Sequence, residues 1–226
     1  MADSVEGSVA KLRFDISMSL DGYVAGPDQS IDEPLGVGGR QLHEWAYGLS
    51  TWRASHGQEG GKTGVDNAAV RESLENIGAT IMGRGMFGPG HGPWGEEPWE
   101  GWWGEEPPFG TPVFVLTHHP RETLVKGKTS FEFVTDGIHP ALERASEAAG
   151  GADVKLGGGA DVAQQYLAAG LVDEMQIHLI PGFLGGGARL FDGAGLEGIG
   201  LERRRVVDSP TGVVHLHFRT AGERGR

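Results

Sequence analysis

The chain of 226 residues has no cysteine, which excludes a disulfide framework, a thiolate nucleophile and thiolate metal ligands. It has no run near the roughly 20 apolar residues that a membrane-spanning helix needs. Its first eight residues are polar and acidic and lack the apolar centre of a secretion signal. Positive charge is scarce, with 19 Lys and Arg against 31 Asp and Glu, a formal net charge of −12. Nucleic-acid binding needs a basic footprint, so no nucleic-acid partner is expected. One phosphorylated cofactor remains compatible with this balance, because it needs only a few local donors. The expectation is a cytoplasmic protein without a membrane segment, with a disordered leader over 1–9, one domain over 10–220 and a disordered tail over 221–226.

Glycine, by contrast, is abundant: 40 residues of 226, more than twice the usual share of about 7 %. The glycines gather at 36–39, 57–64, 83–95, 157–159 and 185–187. Such clusters read as loops, and some of them permit close backbone approach to a ligand.

Residues 10–18 (AKLRFDISM) alternate and then turn apolar, which predicts a strand entering the core. A turn and a short extended piece follow over 19–26. Residues 40–52 carry Leu42, Trp45, Ala46 and Leu49 at helical spacing, and a second helix is expected over 67–76 with Asp66 as its N-cap. Strands are expected over 79–82, 112–117, 131–135, 154–156 and 174–181, helices over 138–149 and 160–169, and a closing antiparallel hairpin over 201–208 and 212–219. Strands alternating with helices indicate a mixed, mostly parallel sheet. Residues 88–109 hold four of the six tryptophans among Gly, Pro and Glu. A segment this long without regular structure suggests a binding loop.

Three predicted strands end in groups suited to an anion. One runs into Gly157-Gly158-Gly159 and then a helix, whose first N–H groups and positive dipole end favour a phosphate. A second runs into Gly83-Arg84, and Arg presents a planar fork to phosphate. A third ends in Thr117-His118-His119. Each also has a plainer reading: a tight turn, a surface charge, a turn cap. Adjacent histidines on a strand face opposite ways and no third ligand is spaced with them, so no metal is expected.

Five blocks carry a resemblance: ISMSLDGYVAG over 16–26, IMGRGMF over 81–87, VFVLT over 113–117, LGGGADVAQQYL over 156–167 and LVDEMQIHLIPGFLGGGARLF over 171–191. In this order they resemble the dihydrofolate reductase / RibD C-terminal domain family, over about residues 10–219. The likeness is to its stand-alone bacterial members. It implies an α/β dihydrofolate reductase-like fold. That fold has a mixed, mostly parallel central sheet of about eight strands, flanking helices and a C-terminal antiparallel hairpin. It implies NADPH as cofactor, hydride transfer to a small planar N-heterocycle such as a pteridine or pyrimidine, and a homodimer. Carried over by motif, Val24 and Ala25 would lie by the nicotinamide, and Gly83, Arg84 and Met86 along the cofactor phosphates. Thr117 and His118 would approach the 2′-phosphate end. Gly158, Gly159, Ala160, Asp161 and Val162 would hold the pyrophosphate. Asp21 matches a position that fixes a turn.

Two segments depart from the family pattern. The proton that must accompany hydride needs an acid or a positioned water, and the candidates are Asp32 and Asp66. The plainer readings are a solvated loop charge and an N-cap. The tryptophan-rich segment would place Trp94 and Trp103 over a substrate or in ordinary packing. His178, in mid-strand, faces either the pocket or the core. Two alternatives therefore stand beside the reductase: a non-catalytic protein that binds a nucleotide or heterocycle, and a flavin-linked reductase.

Overall fold

The computed structural model describes residues 10–221, apart from His91, Glu97 and Ala194. The expected leader, and the expected tail beyond Ala221, lie outside the described residues. The elements are β1 (Leu12–Ser19), β2 (Tyr23–Ala25), a 3-10 turn (Gly39–Leu42), α1 (Glu44–Tyr47), α2 (Ser50–Ser55), α3 (Val65–Leu74), β3 (Ile77–Gly83), α4 (Arg84–Phe87), β4 (Val113–Leu116), β5 (Leu124–Lys126), β6 (Thr129–Val134), α5 (Ile138–Ala149), β7 (Asp153–Gly158), α6 (Ala160–Ala168), β8 (Glu174–Ile180), β9 (Ala188–Arg189), β10 (Leu201–Asp208) and β11 (Val214–Thr220).

The main sheet has nine strands in the order β10-β11-β8-β1-β7-β3-β4-β6-β5. The six strands from β8 to β6 run parallel. The hairpin of β10 and β11 adds antiparallel strands at one edge, and β5 adds one at the other. The ninth strand is β5, whose three residues are too few to show a period. β2 and β9 form a separate two-stranded ribbon.

The two faces of the sheet differ sharply. On one, Leu12, Phe14, Ile81, Phe114, Leu156, Met175 and Ile177 pack with α5 and α6 into the main core. α5 presents Ala141, Ala145 and Ala149, all buried and four residues apart. Their small size brings the helix close to β3: a Cβ on Gly78 would lie 2.6 Å from the Ala149 carbonyl oxygen. The Tyr166 hydroxyl donates to the Ile138 carbonyl at 2.8 Å and ties α6 to α5.

The opposite face is divided. Over β1, β8 and β11 it carries Asp15, Ser17, His178 and His215, beneath α1–α3. Over β3, β4 and β6 it is apolar and is covered by the tryptophan-rich segment, where Trp94, Trp99, Trp103 and Phe109 pack on Met82, Phe87, Val113, Val115 and Phe131. This segment forms no helix or strand among its described residues. Lys126 anchors it through Glu100 and Glu105.

Two expectations for helices need correction. Residues 40–52 form a 3-10 turn and parts of two short helices, because Leu49 adopts extended backbone (φ −80, ψ 144) at the start of α2. α3 starts at Val65 with Gly64 as N-cap (φ 122). Asp66 is therefore inside the first turn, and its side chain points elsewhere.

Candidate functional site

Because β7, β3 and β4 are parallel neighbours, their carboxyl ends meet at one edge. Gly158 pairs with Met82, and Gly83 with Leu116. In open parallel sheets this edge is where ligands bind. Gly83 has no room for a side chain, since a Cβ there would meet Val162 Cγ2 of α6 at 2.8 Å. Gly158 has φ +118, and its peptide bond to Gly159 is cis. Gly159 caps α6 without any side-chain hydrogen bond, and a Cβ on it would point into open space. The result is a bare backbone shelf at the amino end of a nine-residue helix, with the exposed Asp161 in its first turn. Met86 borders the shelf, with its sulfur 3.7 Å from where a Gly158 Cβ would be.

Arg84 follows this edge, and its guanidinium lies 3.6 Å from the Trp94 ring centroid. Its Nε and Nη1 are buried and have no partner. Arg121 lies 4.9 Å from the same ring. Burial, and then the like charge of Arg121, lower the proton affinity of Arg84. This arrangement leaves guanidinium donors without an acceptor. Trp94 is itself held by donating to the His119 carbonyl at 2.9 Å. Thr117 Oγ1 accepts the His119 N–H at 3.2 Å, fixing the turn after β4, and His118 is exposed.

Across β1 lies a chain of buried polar groups. Asp66 Oδ1 sits 2.9 Å from His215 Nε2, and Oδ2 accepts from the Thr211 hydroxyl at 3.0 Å. His215 Nδ1 is 2.7 Å from His178 Nδ1. His178 Nε2 faces Asp15 Oδ2 at 3.9 Å, and Asp15 pairs with Lys155 at 2.7 Å. The register explains the assembly: His215 stands opposite His178, and His178 opposite Ser17. Trp45 covers the pair, its ring 4.6 Å from His178 and 5.3 Å from His215, and its Nε1 donates to Ser17 Oγ at 3.0 Å.

Protonation states follow from these contacts. Burial opposes the charge on Asp66, but hydrogen bonds from Ser209, His215 and Thr211 outweigh it and lower its pKa. Burial lowers His215 despite Asp66. The pair is therefore carboxylate and neutral imidazole, so His215 Nε2–H donates to Asp66. His215 Nδ1 must then accept, which assigns the Nδ1 proton to His178. The remaining position on His178, Nε2, faces Asp15. Burial would raise Asp15, but the charge of Lys155 and then contact with His178 hold it far below the usual carboxylate range. His43 nearby is pushed down to about 4, mainly by burial and then by His178.

Of the predicted candidates, Asp66 and His178 are joined through His215. Asp32 is apart, exposed on the loop after β2. Trp94 lies at the Arg84 end. Trp103 stacks on Phe131 (centroids 5.9 Å, 10° between planes), away from the histidines. Val24 and Ala25 are buried in β2, against β9. The Asp21 carboxylate accepts the N–H groups of Leu184 and Gly185 at 3.1 and 2.7 Å, pinning the turn after β1 to a distant loop. The Ser19 hydroxyl, and next these amides against burial, bring its pKa to about 2. Sequence reasoning missed Asp15, Trp45, Arg121, Lys155 and His215. The polar face of β1, where Arg13, Asp15, Ser17 and Ser19 alternate with Leu12, Phe14, Ile16 and Met18, and His215 and His217 alternating in the last strand, were the available signals.

Comparison with known proteins bears on this architecture. No protein with a curated description matches the chain. Among solved structures, a protein from Shewanella sp. PV-4 assigned to riboflavin biosynthesis superposes with a TM-score of 0.61 at 22 % identity, covering 93 % of this chain and 98 % of its own. RibD of Acinetobacter baumannii gives 0.54 at 16 % identity over 94 % of this chain, which spans only 58 % of that protein. A pyrimidine reductase-like protein of Corynebacterium diphtheriae gives 0.51 at 11 % identity, covering 93 % of this chain and 92 % of that one. At these identities the likeness is one of fold. The RibD C-terminal domain model matches residues 10–215, nearly all of the described chain, and the protein therefore belongs to the RibD C-terminal domain family.

Proposed function

We propose that the protein is an NADPH-dependent reductase that delivers hydride to a small planar N-heterocycle, a pyrimidine or a pteridine. The observation that carries this reading is the Asp66–His215–His178 chain, held across one strand, β1, from a glycine-floored edge with unpartnered guanidinium donors. The edge fits a dinucleotide: Arg84 has buried donors in want of an acceptor, and the Gly158–Gly159 shelf has space where side chains would otherwise stand. On this reading Gly83, Arg84, Met86 and residues 158–162 hold the cofactor's phosphates. Thr117 and His118 stand toward its adenosine end, and Val24 and Ala25 line the nicotinamide end. The nicotinamide supplies the hydride. The protein's part is to orient it, exclude water and provide the matching proton.

His178 suits the last task. Its Nδ1–H is committed to His215, so proton exchange falls to Nε2, while the Asp66 carboxylate stabilises the imidazolium formed when the pair gains a proton. Trp45 is the aromatic surface beside this group. Trp94 serves the phosphate end by packing on Arg84, and Trp103 serves the apolar packing. Assembly as a homodimer fits the exposed Phe183, Phe191 and Leu20 near the β1–β2 turn and the loops around β9.

The test is to mix the protein with NADPH and a panel of pyrimidines and pteridines and follow the loss of reduced-nicotinamide absorbance. Turnover is expected, together with a rise in melting temperature on adding cofactor alone. No thermal shift at about millimolar NADPH would overturn the assignment. The burial of His178, only 3 % exposed, favours a second reading, a heterocycle-binding protein without turnover. That reading expects the thermal shift but no oxidation of NADPH with any member of the panel.

A further inference from the structure

The histidine pair has a carboxylate at each end, and the two ends are built differently. At the His215 end stands Asp66, which meets His215 and the hydroxyls of Thr211 and Ser209. Among the described residues it has no lysine or arginine partner. At the His178 end stands Asp15. Its Oδ2 is 3.9 Å from His178 Nε2, and its Oδ1 is 2.7 Å from Lys155 Nζ. Three adjacent strands supply this end: His178 from β8, Asp15 from β1 and Lys155 from β7. Lys155 stands opposite Arg13, two residues before Asp15, so both side chains project from the same face of the sheet.

The charge around the pair follows from these contacts. Asp15 and Asp66 against Lys155 leave one negative charge. Arg205 of β10 is matched by Glu72 of α3. His43, before α1, and His217, beside His215 on β11, are neutral, each pushed down to about 4, mainly by burial. Trp45 of α1 covers the pair and adds no charge. The surroundings therefore balance one proton on the pair and not two. Without Lys155 they would carry two negative charges, and the pair would hold its proton more tightly.

A general acid works best when it gains and loses its proton near the working pH. An imidazole between two unopposed carboxylates would keep its proton rather than give it to substrate. We propose that Lys155 is a positioning residue for proton transfer: acting through Asp15, it offsets one of the two carboxylates and so sets the pH at which the histidine pair takes up its proton. The role in chemistry rests on the reductase reading above, whereas the charge arrangement does not. The side chains of Lys155 and Asp15 are 19 % and 20 % exposed, and both line a cavity of about 240 Å³. Solvent there screens them, so the effect on the pair is expected to be about one pH unit rather than the roughly three of a dry site.

The test uses the full chain without cofactor or substrate, labelled with ¹³C at histidine Cε1, and follows the pair by NMR as pH is varied. The two signals are identified by their loss in His178→Gln and His215→Gln. Lys155→Met is expected to raise the midpoint of proton uptake by about one pH unit, and Asp15→Asn to lower it by about as much. Lys155→Arg keeps the charge and should keep the wild-type midpoint, and the double variant should fall between the two single ones. A lysine that served packing alone would not give shifts of opposite sign. Should Lys155→Met fail to fold, Lys155→Gln takes its place, and Asp15→Asn still decides the sign. An unmoved midpoint in a folded Lys155→Met, shifts of the same sign in the two single variants, or a pair that takes up no proton before acid unfolding would each overturn the proposal. Where NADPH is turned over, the alkaline limb of the kcat profile should move with the NMR midpoint, and a limb that stays in place would overturn the part of Lys155 in the chemistry. Shifted midpoints without any turnover would count against the reductase reading alone.

Discussion

Asp66 shows how a single side chain can be misjudged from its neighbours in sequence. Its place at the start of a helix suggests capping, yet Gly64 caps α3 and the Asp66 carboxylate reaches His215 and Thr211, 149 and 145 residues away. Nothing local announces those partners, because they arrive with the last strand of the sheet. If Asp66 polarises the histidine pair, Asp66→Asn should keep the fold, since Asn Oδ1 still accepts from His215. It should nonetheless lower kcat by roughly 10²–10⁴-fold. Steady-state rates beside melting curves check this, and an unchanged kcat would remove Asp66 from the chemistry. His215→Phe is the harsher change. It leaves Asp66 and His178 buried without each other's bridge and should cost about 2–4 kcal/mol, read from urea unfolding. A cost below about 1 kcal/mol would show that the pair is solvated in solution.

At the level of elements, the glycines after β3 and β7 differ in what they permit. Gly83 makes room for Val162 of α6, so its small size serves packing. Gly159, with φ −70 and open space where a Cβ would be, has no such structural duty. Gly159→Ala should therefore leave the melting temperature within about 1–2 °C of wild type while weakening NADPH binding about tenfold or more, as a methyl group fills the shelf. Unchanged affinity would mean that phosphates do not sit there. Most elements of this sheet could be read from the chain, because buried parallel strands are continuous apolar runs and the glycines punctuate them. β5 and β9 could not, being three and two residues long. Nor could the break at Leu49, where helical spacing persists although the backbone extends. The tryptophan-rich segment was visible as irregular, but its role as the cover of β3, β4 and β6 was not. That role depends on which sheet face lacks a helix, a property of the assembled layers.

For the molecule as a whole, the divided sheet makes stability depend on pH. His43, His215 and His217 all have lowered proton affinity in the folded state, with His43 and His217 at about 4 against 6.5. Burial is the first cause in each. The unfolded chain binds these protons more readily, so their stabilisation is complete above pH 6.5 and is lost as pH falls toward about 4. Asp15 and Asp66 are also lowered, so their contribution is intact above pH 3.8 and is lost only below it. Urea midpoints should fall in the window between 6.5 and 4, before the carboxylates titrate. A flat midpoint across that window would show that the histidines are hydrated. The strand order also has a consequence for biosynthesis. β1 sits between β7 and β8, with Leu12 opposite Val154 and Arg13 opposite Glu174. On a ribosome that strand emerges well before either neighbour exists, and closing so long a span is slow. During that interval an apolar segment has no native place to go. The centre of the sheet therefore cannot close until β8, far downstream of β1, has been made.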